Sequence, residues 1–225
     1  MAAVLTLHQS TIGKKVIMAT SGLVLVAYVV VHMLGNLKVY QGQAKMDAYA
    51  AFLRDVGSPV LAHEQLLWLV RIVLLAALIS HVWAAVSLSR LDLASRPVRY
   101  HVKKSAASGY AVWTMRWGGL VLGLFIIYHL LHLTSGTVHP SFREGAAYAN
   151  LVSGFRVWYV ALFYIAAMLA LALHLYHGVW STFQTLGLND VGRDNLWRGT
   201  AVAIAVAVSV GNISIPLAVL TGFVR

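Results

Sequence analysis

Ser21–Leu34, S-G-L-V-L-V-A-Y-V-V-V-H-M-L, returns in the second half of the chain as Gly118–Leu131, G-G-L-V-L-G-L-F-I-I-Y-H-L-L. Each copy carries a glycine and, ten positions on, a histidine: Gly22 with His32 and Gly119 with His129. Each also lies in an uncharged run long enough for the roughly 20 residues of a membrane helix. A histidine at such a depth is costly unless it has a partner. The two copies therefore read as halves of one cofactor-binding repeat.

The composition agrees. Hydrophobic residues make up 60% of the 225, charged residues 11%, and the mean hydropathy is +0.75, so the solvent of most of this chain is lipid. There is no cysteine, which excludes an iron–sulfur cluster, a thiolate-held metal, a disulfide or a c-type haem linkage within this chain. Such chemistry has to come from a partner.

Charged residues bound five apolar runs, 16–37, 72–89, 117–142, 157–189 and 199–224. The expected fold is an all-α membrane protein of a single domain, 1–225, with five transmembrane helices near 16–36, 61–88, 110–134, 155–185 and 199–222. Four of them form a haem-binding bundle with an internal two-fold repeat, and the fifth flanks it. The first apolar run exceeds the core of a signal peptide and no small-x-small cleavage site follows it, so it reads as a retained helix. The connection from Lys38 to Ser58 has Met46, Tyr49, Ala50 and Leu53 at helical spacing, predicting a short helix on the membrane surface. Ten of the 17 Lys and Arg residues fall on the side of the N-terminus and of the connection between the second and third spans. That bias places the N-terminus in the cytoplasm. The net charge of +10 then reflects topology and contact with anionic lipid or an acidic partner surface, with no basic nucleic-acid motif to suggest another role.

The repeat extends to the second and fourth spans. His81 opens H-V-W-A-A-V and His174 opens H-L-Y-H-G-V, which share an aromatic at +2, a small residue at +4 and valine at +5. Because successive helices run antiparallel, His32 and His129 fall at one depth near the outer face, and His81 with His174 at another near the inner face. Reversing the topology exchanges the faces without changing the pairs. Two imidazole pairs across a helical bundle suit the axial positions of two b haems. Gly22 and Gly119 lie about 15 Å below the outer pair at 1.5 Å per residue, near the inner pair, where a thinned backbone lets a flat macrocycle pack close. Bis-histidine iron has no open position, so the expected work is electron transfer.

Alternatives stand beside this reading. His132 and His177 each follow a proposed ligand by three residues and share its helix face, so either remains a substitute ligand or a group beside the site. His8, His63, His101 and His139 lie at or beyond the span edges and read as solvated. A lone intramembrane histidine is as readily an interhelical hydrogen-bond donor; four in a doubled pattern favour ligation. A haem-free transporter or anchor that relays protons through its histidines is the rival from another class.

The segments T-I-G-K-K, S-G-L-V-L and H-M-L-G-N-L in the first helix, R-W-G-G-L-V-L-G-L-F-I-I-Y-H in the third and L-H-L-Y-H-G-V-W in the fourth resemble the single-chain, five-helix, dihaem cytochrome b subunits of succinate dehydrogenases and fumarate reductases. The interval of 49 residues between His32 and His81 is similar to that family's, and the likeness spans nearly the whole chain. It implies axial ligands at His32 and His129 for the distal haem and at His81 and His174 for the haem proximal to a cytoplasmic dehydrogenase. It also implies a flavoprotein and an iron–sulfur subunit as partners, menaquinone as electron acceptor, and a place in the respiratory chain and tricarboxylic acid cycle at the bacterial cytoplasmic membrane. A higher oligomer of the complex is compatible with it. Some fumarate-reducing members carry a glutamate two residues before the fourth ligand, thought to carry protons; here Ala172 stands there, which favours succinate oxidation. Other dihaem cytochromes, b561-like or serving a hydrogenase or formate dehydrogenase, are the nearer rivals.

Around the haems, Gly22, Gly119, Trp113, Arg116 and Arg156 are candidate contacts, the two arginines toward propionates. For the quinone, Glu64, Arg71 and His132 are candidates on the outer side. Ser10, Lys14, Trp113 and Arg116 are equally suited on the inner side. On its own the chain carries no succinate chemistry, having neither a flavin fold nor clusters.

Overall fold

Ser10 starts the first helix by accepting a hydrogen bond on its Oγ from the Gly13 amide at 2.9 Å, satisfying one of the donors a helix N-terminus leaves free. The computed structural model describes residues 8–95 and 106–225, and side chains of the second segment from 114 onward. Helix α1, Thr11–Asn36, therefore begins five residues before the expected Val16, because the cap precedes the apolar run. A 3-10 turn, Leu37–Gln41, leads to the surface helix α2, Gln43–Asp55, where the amphipathic spacing placed one. Gly35 lets α2 close over the end of α1: a Cβ there would lie 2.8 Å from the Tyr49 ring.

Helix α3 is Gln65–Ala94, starting later than the expected Leu61. The Leu61 amide is bound to the Gly57 carbonyl at 2.8 Å, and Glu64 turns the chain in the left-handed region at φ 63°. Helix α4, Ala106–His129, does not continue unbroken to residue 134. Its last turn, Leu130–Thr134, widens to π geometry, with the Ser135 amide reaching back five residues to the Leu130 carbonyl at 2.9 Å. The outer loop that follows is not bare: it contains α5, Ala147–Phe155. Val157 then adopts extended backbone before α6, Trp158–Thr185, so the expected single helix 155–185 is broken near its start. Helix α7 is Asp194–Leu220 and takes in Pro216. The basic connection around Pro97, with His101, lies outside the described residues, as does the side chain of Trp113.

The described residues contain no strand, and five helices are long and apolar enough to cross a membrane. This is the architecture of a multi-pass membrane protein. Helix α1 packs on α3 and α6, α4 packs on α6, and α7 lies along α6 and α1. Among the described residues, the quartet α3–α1–α6–α4 is packed along three of its sides, and Arg116 and Asp92 join α4 to α3. Close approach is made by small residues, Ala84, Ala161 and Ala201 at 0% exposure, as expected where lipid supplies no hydrophobic drive between helices. The largest buried cluster among the described residues, including Val39, Met46, Phe125, Phe155, Tyr164 and Ile215, sits at the end of the bundle that carries α2 and α5. Helix α3 has only 6% of its most apolar stretch buried in protein, leaving most of its flank to lipid.

At the outer turn Gly136 has φ 72°, and the Phe142 ring occupies the space a Cβ would need. Gly136→Ala is expected to cost about 1–3 kcal/mol through strain and overpacking, read as a lowered unfolding temperature in detergent.

Candidate functional site

The antiparallel pair α1/α3 brings Gly22 against His81: a Cβ on Gly22 would lie 3.3 Å from the His81 Cε1. On the other side of the bundle Gly119 of α4 faces His174 of α6 in the same way, at 3.8 Å. The imidazoles meet in two pairs. The rings of His32 and His129 have centroids 5.8 Å apart at 88°, and those of His81 and His174 are 6.2 Å apart at 66°. The pairs join α1 to α4 and α3 to α6. These are the two diagonals of the quartet, so both pairs lie across its interior. All four histidines are partly accessible, as groups lining an interior space would be.

Their ring nitrogens are not equivalent. His81 Nδ1 lies 3.1 Å from the Met18 carbonyl oxygen; a carbonyl only accepts, so Nδ1 carries the proton and Nε2 keeps its lone pair. The Ser21 hydroxyl is beside the same nitrogen at 3.4 Å. His32 Nδ1 faces the Tyr28 hydroxyl at 3.5 Å, with the two rings stacked 5.3 Å apart. His129 Nδ1 faces the Tyr164 hydroxyl at 3.4 Å. His174 Nδ1 is buried with no hydrogen-bond partner, an omission that usually costs about 1–3 kcal/mol. No hydrogen bond engages Nε2 of any of the four among the described residues.

A haem fits this donor set. Two imidazoles on one metal, each at a metal–nitrogen distance of about 2.0 Å, put ring centroids roughly 6 Å apart, close to both observed spacings. No cluster of three or more metal-ligating side chains is found among the described residues; a haem brings its own equatorial nitrogens and asks the protein for two axial ones. The missing side chains of Gly22 and Gly119 let the helix backbones stand close to the His81 and His174 rings.

Other expected residues are placed differently from one another. Arg116 of α4 reaches Asp92 of α3, with Nη2–Oδ2 at 2.6 Å. Arg156 is exposed at the end of α5. Glu64 pairs with Arg54 at 3.2 Å, and the exposed Arg71 lies over the Trp68 ring at 4.8 Å. Neither Glu64 nor Arg71 bonds to His132, so these three are not drawn into one cluster. His132 is 2% exposed and stacked between Tyr128 and His139, with centroids at 5.4 and 4.8 Å. His177 lies beside Tyr176 and belongs to neither pair.

His139, expected to be solvated, is instead buried at 5% exposure. Its Nδ1 accepts from the Ser141 amide at 3.2 Å and its Nε2 donates to the Asn150 carbonyl at 2.9 Å. The cause is α5, which folds over the turn and brings Asn150 and Gly154 against the ring. His63 does lie exposed, at 2.6 Å from Asp55.

Tyr164, Tyr28 and the Met18 carbonyl are the site groups that sequence reasoning missed. Tyr164 had a signal: it stands ten residues before His174 on an antiparallel helix, the offset that separates the two histidine levels. No family model, no curated protein and no solved structure matches this chain. Gly154 seats the imidazole stack, since a Cβ there would fall 2.7 Å from His132 Cε1 and 3.2 Å from His139 Nε2. Both rings are hydrogen-bonded and cannot swing away, so Gly154→Ala is expected to destabilise by about 1–3 kcal/mol, more than alanine at the unobstructed Gly178, in parallel detergent melts.

Proposed function

We propose that this chain is the membrane-anchor cytochrome b subunit of a succinate:quinone oxidoreductase, holding two b haems between a cytoplasmic flavoprotein and iron–sulfur dehydrogenase and a membrane quinone, most suitably menaquinone. The observation that carries this reading is the pair of diagonal imidazole contacts, in which no Nε2 has a hydrogen bond among the described residues. Bound there, haem supplies reversible one-electron transfer at two depths of the bilayer. The likeness of the histidine-bearing segments to dihaem cytochrome b subunits names the partners; the chain holds no flavin fold or cluster and needs them for any succinate chemistry.

The residues divide the work. His32 with His129 and His81 with His174 are the axial donors. Met18, through its carbonyl, fixes the His81 ring and tautomer, as outer partners of metal-bound histidines do. Gly22 against His81 and Gly119 against His174 express the internal repeat and leave room for a macrocycle at the inner level. Arg116, Arg156 and Trp113 are assigned to the haem periphery, Arg116 sharing its charge with Asp92. Glu64, Arg71 and His132 remain the outer-side quinone candidates, with Arg71 and Glu64 the more accessible. The apolar flanks meet lipid in a bacterial cytoplasmic membrane with the N-terminus inside.

Purification through a tag on this chain is expected to bring down a flavoprotein and an iron–sulfur protein, and succinate is expected to reduce b-type absorption in that complex. Recovery with a hydrogenase or formate dehydrogenase instead contradicts the assignment. Gly22→Leu, which drives a side chain into the His81 ring, is expected to remove the inner haem selectively; loss of the outer one contradicts the depth assignment.

A further inference from the structure

The outer imidazole pair has a hydrogen-bond support of a different kind from the inner pair, where the Met18 carbonyl and the Ser21 hydroxyl stand at His81 Nδ1 and His174 Nδ1 has no partner. The Tyr164 hydroxyl lies between two imidazole nitrogens, 3.0 Å from His132 Nδ1 and 3.4 Å from His129 Nδ1. A phenol has one proton to give. Tyr164 is 6% exposed, held by Phe155 and Phe125 at ring-centroid distances of 4.8 and 5.1 Å. His132 cannot turn its Nδ1 elsewhere, because it is 2% exposed and clamped between the Tyr128 and His139 rings above Gly154.

We infer that Tyr164, oriented by His132, is a positioning residue for His129: it gives its proton to His132 Nδ1 and so presents its oxygen as the acceptor for the His129 Nδ1–H. This holds the proton of His129 on Nδ1 and turns the Nε2 lone pair toward His32. The inference rests on the haem reading of the pairs. An acceptor on the far nitrogen of a metal-bound imidazole raises the basicity of the ligand, which favours the oxidised metal. His174 Nδ1, with no partner, has no such support, so the two haems are tuned by unlike surroundings within a repeated sequence.

The test is an optical redox titration of the purified complex, with the outer component identified by its absence in His32→Ala. Tyr164→Phe keeps the ring and its packing and removes only the hydroxyl. It is expected to raise the reduced-to-oxidised ratio of the outer haem severalfold at fixed ambient potential, with tenfold corresponding to about 59 mV for one electron, and to leave the inner haem unchanged. His132→Leu, which frees the Tyr164 proton, is expected to shift the outer haem the same way, and His132→Asn, which keeps an acceptor near the position of Nδ1, to bring it back. Two bound haems with both potentials unmoved in Tyr164→Phe overturn the inference while leaving the haem reading intact. If Tyr164→Phe loses the outer haem outright, the comparison of His132→Leu with His132→Asn decides, and equal potentials in those two overturn it. A wild-type chain that binds no haem overturns the reading of the pairs, and the inference with it.

Discussion

The constraint on which the rest depends is where each intramembrane imidazole keeps its proton. A histidine in lipid needs a partner for both ring nitrogens or a reason to leave one unmet. Here a backbone carbonyl serves His81 and tyrosine hydroxyls stand at His32 and His129, all on Nδ1. The carbonyl directs the His81 lone pair to Nε2, and the rings stand in two pairs about 6 Å apart. Interhelical hydrogen bonding between histidines alone would engage Nε2 as well. Among the described residues Nε2 has no hydrogen-bond partner at any of the four positions, the nitrogen that the proposed haem iron would take.

The helix arrangement makes sense around that requirement. Packing α1 on α3 and α6, and α4 on α6, sets the histidine-bearing helices as a quartet whose diagonals carry the pairs. Arg116 of α4 meets Asp92 of α3, and α3 is the least protein-covered of the five spans. The seventh helix adds cover to α6 and α1 without contributing a histidine. At the outer end α2, α5 and the C-terminal Val224 seal the bundle with its densest apolar cluster.

Much of this was legible from spacing. Five uncharged runs set the five spans, and the antiparallel order of those spans set the histidine depths with which the ring contacts agree. What escaped depends on contacts between distant segments. Nothing local to His139 says that α5 will fold over it. The π turn after His129 widens a helix whose sequence reads as continuous, and it is this turn that carries the buried His132. The helix starts shifted because Ser10 caps α1 and the turn at Glu64 delays α3, effects of single residues that an apolar window averages away. Tyr164 was within reach of the depth rule, which had been applied only to glycines and histidines.

The central claim is that the four imidazoles hold two haems, and the most direct measurement is pyridine haemochrome quantification on the purified chain, with a dithionite-reduced minus oxidised spectrum. The account predicts two b haems per chain. A single haem would mean that one pair is wrongly assigned, and a colourless chain would contradict the claim and return the histidines to proton relay.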